Sequence, residues 1–191
     1  MNQIIFSFNK IQNKRHVFFG LLAISFYIIH ASYLIFNNES AHIMWACHIA
    51  SLAIGFGLIF DMPILIAIGV LWLGFGDIMW VIYLAGGGGF ELTSPLTHIG
   101  GIAVGIWGLY RTCIPKNSWI WALIALLLLQ QLSRWVTPEP FNINLAFRVH
   151  EGWENVFPTY SIYLAVLLII ASAIFLGFEV LLNRLIAWKK R

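Results

Sequence analysis

Residues 63–85, PILIAIGVLWLGFGDIMWVIYLA, decide the fold of this chain. A helix needs roughly 20 consecutive apolar residues to cross the hydrocarbon core of a bilayer. This stretch is long enough, and Asp77 is its only charged side chain. The sequence therefore predicts a transmembrane helix here, with Asp77 about 10 Å from one end at the helical rise of 1.5 Å per residue.

Similar apolar stretches lie on both sides of this helix, at 17–36, 41–60, 95–113, 118–136 and 157–183. The composition agrees, because 60% of the residues are hydrophobic and 10% are charged, whereas soluble domains carry about 25% charged residues. We therefore predict an all-α integral membrane protein, a bundle of about six transmembrane helices. Its predicted parts are a basic leader over residues 1–16 and one membrane domain over 17–191, with an outer loop at about 137–157.

The basic residues indicate an orientation, because lysine and arginine are enriched in cytoplasmic segments. With the N-terminus inside, the outer segments hold only Arg134 and Arg148. The inner segments hold Lys10, Lys14, Arg15, Arg111, Lys116, Arg184, Lys189, Lys190 and Arg191. Both termini are thus predicted to be cytoplasmic in a multi-pass cell-membrane protein.

The same distribution bears on partners. Basic residues at membrane edges, rather than on one folded face, give no indication of nucleic-acid binding. The expected partners are membrane lipids, a lipid-like substrate, and either further copies of the chain or a larger membrane complex.

The outer loop has an unusual pattern. Pro138-Glu139-Pro140 cannot continue a helix. Residues 141–150 are then apolar at every second position, which is strand periodicity. An extended cover and a short interfacial helix both remain open from the sequence.

Histidine is concentrated on the predicted outer side, which holds five of the six: His30, His42, His48, His98 and His150. Imidazole is the commonest protein ligand for zinc, copper and iron. His30 and His42 flank a short loop, where interfacial, hydrogen-bonded histidines are expected, and the sequence leaves open whether they also join the site. His48 and His98 should lie at or within the apolar layer. The predicted metal ligands are His48, Asp77, His98 and His150.

Asp77 has two interpretations, because a charge inside a membrane is usually paired or faces a cavity. It forms a structural ion pair with Arg134, or it is a metal ligand, a partner to a histidine or a proton carrier. Cys47 and Cys113 are predicted to lie at opposite membrane faces, which excludes a disulfide between them, and each is expected to be a small packing residue. Gly101 and Gly105 form a GxxxG pattern that predicts close helix packing.

Three functions fit an outward-facing site of this kind. The first is a metal-dependent hydrolase in which zinc activates water. Glu151 or Glu154 would be the general base, and Arg134 would stabilise an oxyanion or bind a headgroup of a lipid or lipid-linked substrate. Iron and copper are the other metals considered.

The second function is a haem-binding redox protein, with His48 and His98 as the axial ligands of haem b. The third is a small transporter or a non-catalytic subunit of a membrane complex. The sequence contains no HExxH motif and no repeated CxxC motif that would select one metal. We place the zinc-type enzyme ahead of haem binding, and both ahead of transport.

Overall fold

The computed structural model describes residues 14–189, and all regular secondary structure in this part is helical, without a strand. Residues 1–13 of the predicted leader, and Lys190 and Arg191 of the basic tail, lie outside the described residues. The helices are α1 (Lys14–Phe36), α2 (Ala46–Ile59), α3 (Pro63–Ala85), α4 (Gly101–Arg111), α5 (Ser118–Val136) and α6 (Tyr160–Lys189).

Four of these helices, α1, α3, α5 and α6, are long and apolar enough to cross a membrane. The other two are shorter than predicted. The 14 residues of α2 extend about 21 Å, which is less than the roughly 30 Å of a hydrocarbon core. The stretch at 41–60 begins with a 3₁₀ turn at Ser40–Met44, and the stretch at 95–113 begins with a π-helical turn at Leu96–Gly100. The described chain is thus all-helical with four candidate spans.

Helix α3 lies at the centre of the bundle and packs against α2, α4, α5 and α6. Every residue from Ile66 to Gly74 is buried. Trp72 also donates its indole N–H to the carbonyl oxygen of Ala122 on α5, at 2.9 Å. A continuous apolar run without a polar face suits a helix that has neighbours on all sides.

Glycines allow the first helices to approach closely. A Cβ on Gly20 of α1 would lie 2.8 Å from the carbonyl oxygen of Gly55 on α2. Conversely, a Cβ on Gly55 would lie 2.8 Å from the carbonyl oxygen of Gly20. On α4, a Cβ on Gly101 would lie 2.6 Å from Ser51 Oγ, and one on Gly105 would clash with a Val70 methyl group. Both glycines of the GxxxG pattern therefore lie at close helix contacts, as predicted.

A carboxylate on α6 caps the start of α5. The backbone N–H of Asn117 donates to Glu179 Oε1 at 3.1 Å, and that of Trp119 donates to Oε2 at 2.8 Å. Glu179 is 8% exposed. Negative charge is stabilised at a helix N-terminus, where backbone N–H groups lack partners, so this contact joins the two helices at the end of the bundle remote from most histidines.

The outer loop forms two 3₁₀ turns, Glu139–Phe141 and Ile143–Leu145, rather than an extended segment or an α-helix. Asn142 and Asn144 adopt left-handed backbone conformations, with φ of 47° and 53°, which interrupt any strand. The side chain of Asn144 accepts the N–H of Ala46 and donates to the carbonyl of Met44, at 2.9 and 2.8 Å. The loop is therefore fastened to the start of α2.

Candidate metal centre

One end of the bundle brings three buried histidines together. His30 comes from the last turns of α1, His48 from the first turn of α2, and His98 from the π-helical turn before α4. They are 0%, 6% and 2% exposed. Buried imidazoles need partners for their nitrogen atoms, and those partners define the chemistry of the site.

His30 and His48 are in direct contact. Their Nε2 atoms lie 3.1 Å apart. His48 Nδ1 lies 2.9 Å from the carbonyl oxygen of His42, which can only accept, so Nδ1 carries the proton. The neutral His48 ring therefore keeps the lone pair on Nε2, directed at His30. The other nitrogen of His30 lies 2.8 Å from the hydroxyl of Thr93.

His98 is held by a carboxylate and an indole. Its Nδ1 donates to Asp77 Oδ1 at 2.7 Å, and its ring stacks on that of Trp80, with centroids 4.7 Å apart and an angle of 11° between the planes. The lone pair of the neutral ring is then on Nε2. A π-helical turn is often found at functional sites, and here it carries His98.

A thiol joins the histidines. One nitrogen of His48, one nitrogen of His98 and Cys47 Sγ all lie within 4.8 Å of one another. Gly76 of α3 faces Cys47, because a Cβ added at this glycine would lie 2.9 Å from the Cβ of Cys47. A larger residue at position 76 would therefore displace the cysteine.

The three histidines share one arrangement. The Nδ1 atom of each is occupied by an outer partner: the Thr93 hydroxyl, the His42 carbonyl or the Asp77 carboxylate. Metal-binding histidines almost always have such a partner on the ring nitrogen that does not bind the metal, because it fixes the tautomer and the ring orientation. The cluster thus has the donor atoms and the outer hydrogen bonds of a metal site.

The structure brings together three of the four predicted metal ligands, His48, Asp77 and His98. Asp77 lies behind His98 as its hydrogen-bond partner. It forms no ion pair with Arg134 in the described part of the chain, where the guanidinium of Arg134 instead lies 5.6 Å from the centre of the Tyr160 ring. Of the alternatives for Asp77, the geometry matches the partner to a histidine.

The other predicted site residues are placed in the outer loop. His150, Glu151 and Glu154 are exposed, and His150 Nδ1 donates to the carbonyl oxygen of Glu151 at 2.9 Å. Within residues 14–189, no hydrogen bond or ion pair joins these three side chains to His48, Asp77 or His98. Their roles as ligand and general base stay predictions.

Two residues of the cluster were not among the sequence candidates. His30 was expected at the interface but is fully buried, and Cys47 was expected only to pack. The sequence did contain an indication that His30 is buried. Gly20, Ala23 and His30 lie on one face of α1, and small residues such as Gly20 and Ala23 mark a helix face in close contact with a neighbour. For Cys47 the only signal was its position beside His48.

Comparison of the chain with protein-family models, with curated protein sequences and with solved structures finds no significant match. The site therefore has to be interpreted from its own geometry.

Proposed function

We propose that this chain is a membrane metalloenzyme that binds a transition-metal ion through Cys47, His48 and His98. The observation that carries the proposal is the pair of outer hydrogen bonds, from His98 to Asp77 and from His48 to the His42 carbonyl. Each leaves a neutral imidazole its Nε2 lone pair, and one nitrogen of each ring lies within 4.8 Å of Cys47 Sγ. The site would face the extracytoplasmic side, an orientation that follows from the positive-inside distribution of Lys and Arg.

The donor set favours zinc, with copper as the runner-up. Two imidazole nitrogens and one thiolate are borderline-to-soft ligands, which suit zinc and copper rather than magnesium or calcium. Catalytic zinc sites use three protein ligands and keep the fourth position for water. The bound zinc would lower the pKa of that water and so supply a nucleophile.

His30 is placed to serve as the general base. Its Nε2 lies 3.1 Å from Nε2 of His48, so it is next to any ion that His48 binds. Thr93 Oγ1 lies 2.8 Å from its Nδ1, and Glu91 Oε2 lies 3.5 Å from its Nε2, the nitrogen that also faces His48. In the proposed hydrolysis of an ester or amide, the metal would take up the Nε2 lone pair of His48, and His30 would then carry its proton on Nδ1, hydrogen-bonded to Thr93. Its Nε2 would accept a proton from the attacking water and pass it to the leaving alcohol or amine.

A lipid-like substrate fits the surroundings. A cavity of about 360 Å³ opens beside the Ser40–Met44 turn, whose His42 carbonyl holds His48. This volume is at the lower end of the range for small-molecule sites. Its lining combines apolar and polar side chains and includes Asn38, Ile43, Met44, Val136, Thr137 and Phe141. An acyl chain would fit such a cavity, although Cys47, His48 and His98 are not among its lining residues.

The geometry gives less support to the alternatives. A bis-histidine haem needs its porphyrin between the two axial rings, but Cys47 lies within 4.8 Å of both His48 and His98, and Trp80 covers one face of His98. A transporter needs a polar path, but α3 is buried and apolar from Ile66 to Gly74.

The proposal is tested by metal analysis of the detergent-purified chain after loading with zinc and removal of excess metal. We expect about one zinc per chain in the wild type, and its loss in His48→Ala and His98→Ala. His150→Ala is the matched control and should keep the metal. A wild-type protein that retains no zinc or copper would reject the metalloenzyme, and a Soret band would establish haem instead.

A further inference from the structure

A second group of metal-ligand side chains lies next to the buried cluster. Glu39, His42 and Glu91 each place one ligand atom within 4.8 Å of the other two. Glu39 and His42 belong to the turn between α1 and α2, whereas Glu91 belongs to the loop after α3. The chain thus brings two carboxylates and an imidazole together from segments that are distant in sequence.

This outer group is connected to the buried cluster at two points. Glu91 Oε2 lies 3.5 Å from His30 Nε2, and the backbone carbonyl of His42 accepts the hydrogen bond from His48 Nδ1. Exposure falls along this path, because the side chains of Glu39, His42 and Glu91 are 44%, 31% and 33% exposed, whereas that of His30 is 1% exposed.

A positive charge would stabilise the two neighbouring carboxylates of Glu39 and Glu91. Two carboxylates in such proximity repel each other unless a cation or a proton lies between them. His42 Nδ1 lies 3.8 Å from Glu39 Oε2. Together with Glu91, these two side chains form a set of donors in which carboxylate oxygens predominate. Sets of carboxylate and imidazole ligands suit Mn²⁺, Fe²⁺ and Zn²⁺.

We propose that Glu39, His42 and Glu91 form a second divalent-cation site, paired with the buried site through the contact between Glu91 and His30. The pairing rests on the proposed function, but the outer site is defined by its own ligands. Because it is partly exposed, the outer ion exchanges with solvent more readily than the buried ion.

Manganese is the probe for this site, because its free and bound forms differ in electron paramagnetic resonance. Protein already loaded with zinc is titrated with Mn²⁺ in detergent. We expect one Mn²⁺ to bind per chain, and Glu39→Gln and Glu91→Gln to weaken this binding roughly tenfold or more. Glu139→Gln, the same change at an exposed acid of the outer loop, is the matched control and should bind Mn²⁺ as the wild type does.

The outcomes separate the two proposals. Zinc content that is unchanged in Glu39→Gln shows that the variant is folded. If Mn²⁺ binds equally to wild type, Glu39→Gln and Glu91→Gln, the outer site is rejected while the buried site stands. If the wild type holds no zinc but binds Mn²⁺ through Glu39 and Glu91, the buried site is rejected and the outer site stands.

Discussion

The carboxylate of Asp77 and the imidazole of His98 form a hydrogen bond of 2.7 Å, and it links α3 to the π-helical turn that precedes α4. The bond fixes the tautomer of His98 and, with the stacked Trp80, the orientation of its ring. It is the contact through which α3 would control the proposed metal centre.

Asp77→Asn tests this control. Asparagine still accepts the hydrogen bond, but it lacks the charge that makes His98 a stronger donor to a metal. We expect zinc affinity to fall roughly 10- to 100-fold, measured by competition with a chromophoric chelator. Glu154→Gln, at an exposed acid of the outer loop, should leave the affinity unchanged. Equal affinities in wild type and Asp77→Asn would show that Asp77 does not act on the metal.

Cys47 is expected to bind the metal as a thiolate. Replacing zinc with Co²⁺ should produce a near-ultraviolet sulfur-to-cobalt charge-transfer band, because a bound thiolate donates electron density to cobalt. The band should disappear in Cys47→Ser and persist in Cys113→Ser, since Cys113 lies after α4 at the other end of the bundle. A band that survives in Cys47→Ser would remove this residue from the ligand set.

Gly76→Ala should disturb the site through packing. The new methyl group would lie 2.9 Å from the Cβ of Cys47, and overpacking of this kind costs about 1–3 kcal/mol. We expect lower stability in detergent unfolding and a weaker cobalt–thiolate band. Gly177→Ala is the matched control, because nothing lies within 4 Å of a Cβ at that position. Normal stability and an unchanged band in Gly76→Ala would contradict the close contact.

Glu179→Ala should destabilise the protein without affecting the metal. The change leaves the N–H groups of Asn117 and Trp119 without their partner, and hydrogen bonds to a charged group contribute about 1.5–3 kcal/mol. We expect a loss of this size in the free energy of unfolding, measured in mixed micelles, with zinc content preserved. Glu151→Ala removes an exposed carboxylate and should have little effect. An equal loss in both variants would argue against a specific cap.

The proposed orientation predicts the reactivity of cysteines toward a membrane-impermeant maleimide. Cys113 is exposed at the end of the bundle remote from the buried histidines, and should be labelled in inverted vesicles but protected in intact cells. Asn38→Cys in a Cys113→Ser background, next to the site, should show the reverse. Labelling of Cys113 in intact cells would place the metal centre on the cytoplasmic side.

The sequence predicted the long helices well because their ends carry strong local signals. Two predicted stretches, 63–85 and 118–136, coincide with α3 and α5. Proline starts α3, and Pro138 follows soon after the end of α5. In contrast, hydropathy does not distinguish a 3₁₀ or π-helical turn from an α-helical one, so α2 and α4 were predicted too long.

The sequence predicted some of the residues that the structure brings together, while their roles stay predictions. His48, Asp77 and His98 were identifiable because polar groups within an apolar layer need partners. The burial of His30 depends on which helix covers it, and this is a tertiary property. The alternating pattern of 141–150 indicated a strand, but the left-handed conformations of Asn142 and Asn144 prevent one, and these depend on side-chain hydrogen bonds across the loop.

The contact of Glu179 with the start of α5 also bears on how α6 would be placed in a membrane. Helix α6 is synthesised after α5, and it carries Glu179 into an otherwise apolar environment. A lone carboxylate is unfavourable in lipid, so α6 reaches its most stable position only when the free N–H groups at the start of α5 are in place. In a membrane, Glu179 would therefore favour one neighbour and one depth for α6 over the many that a purely apolar helix would accept.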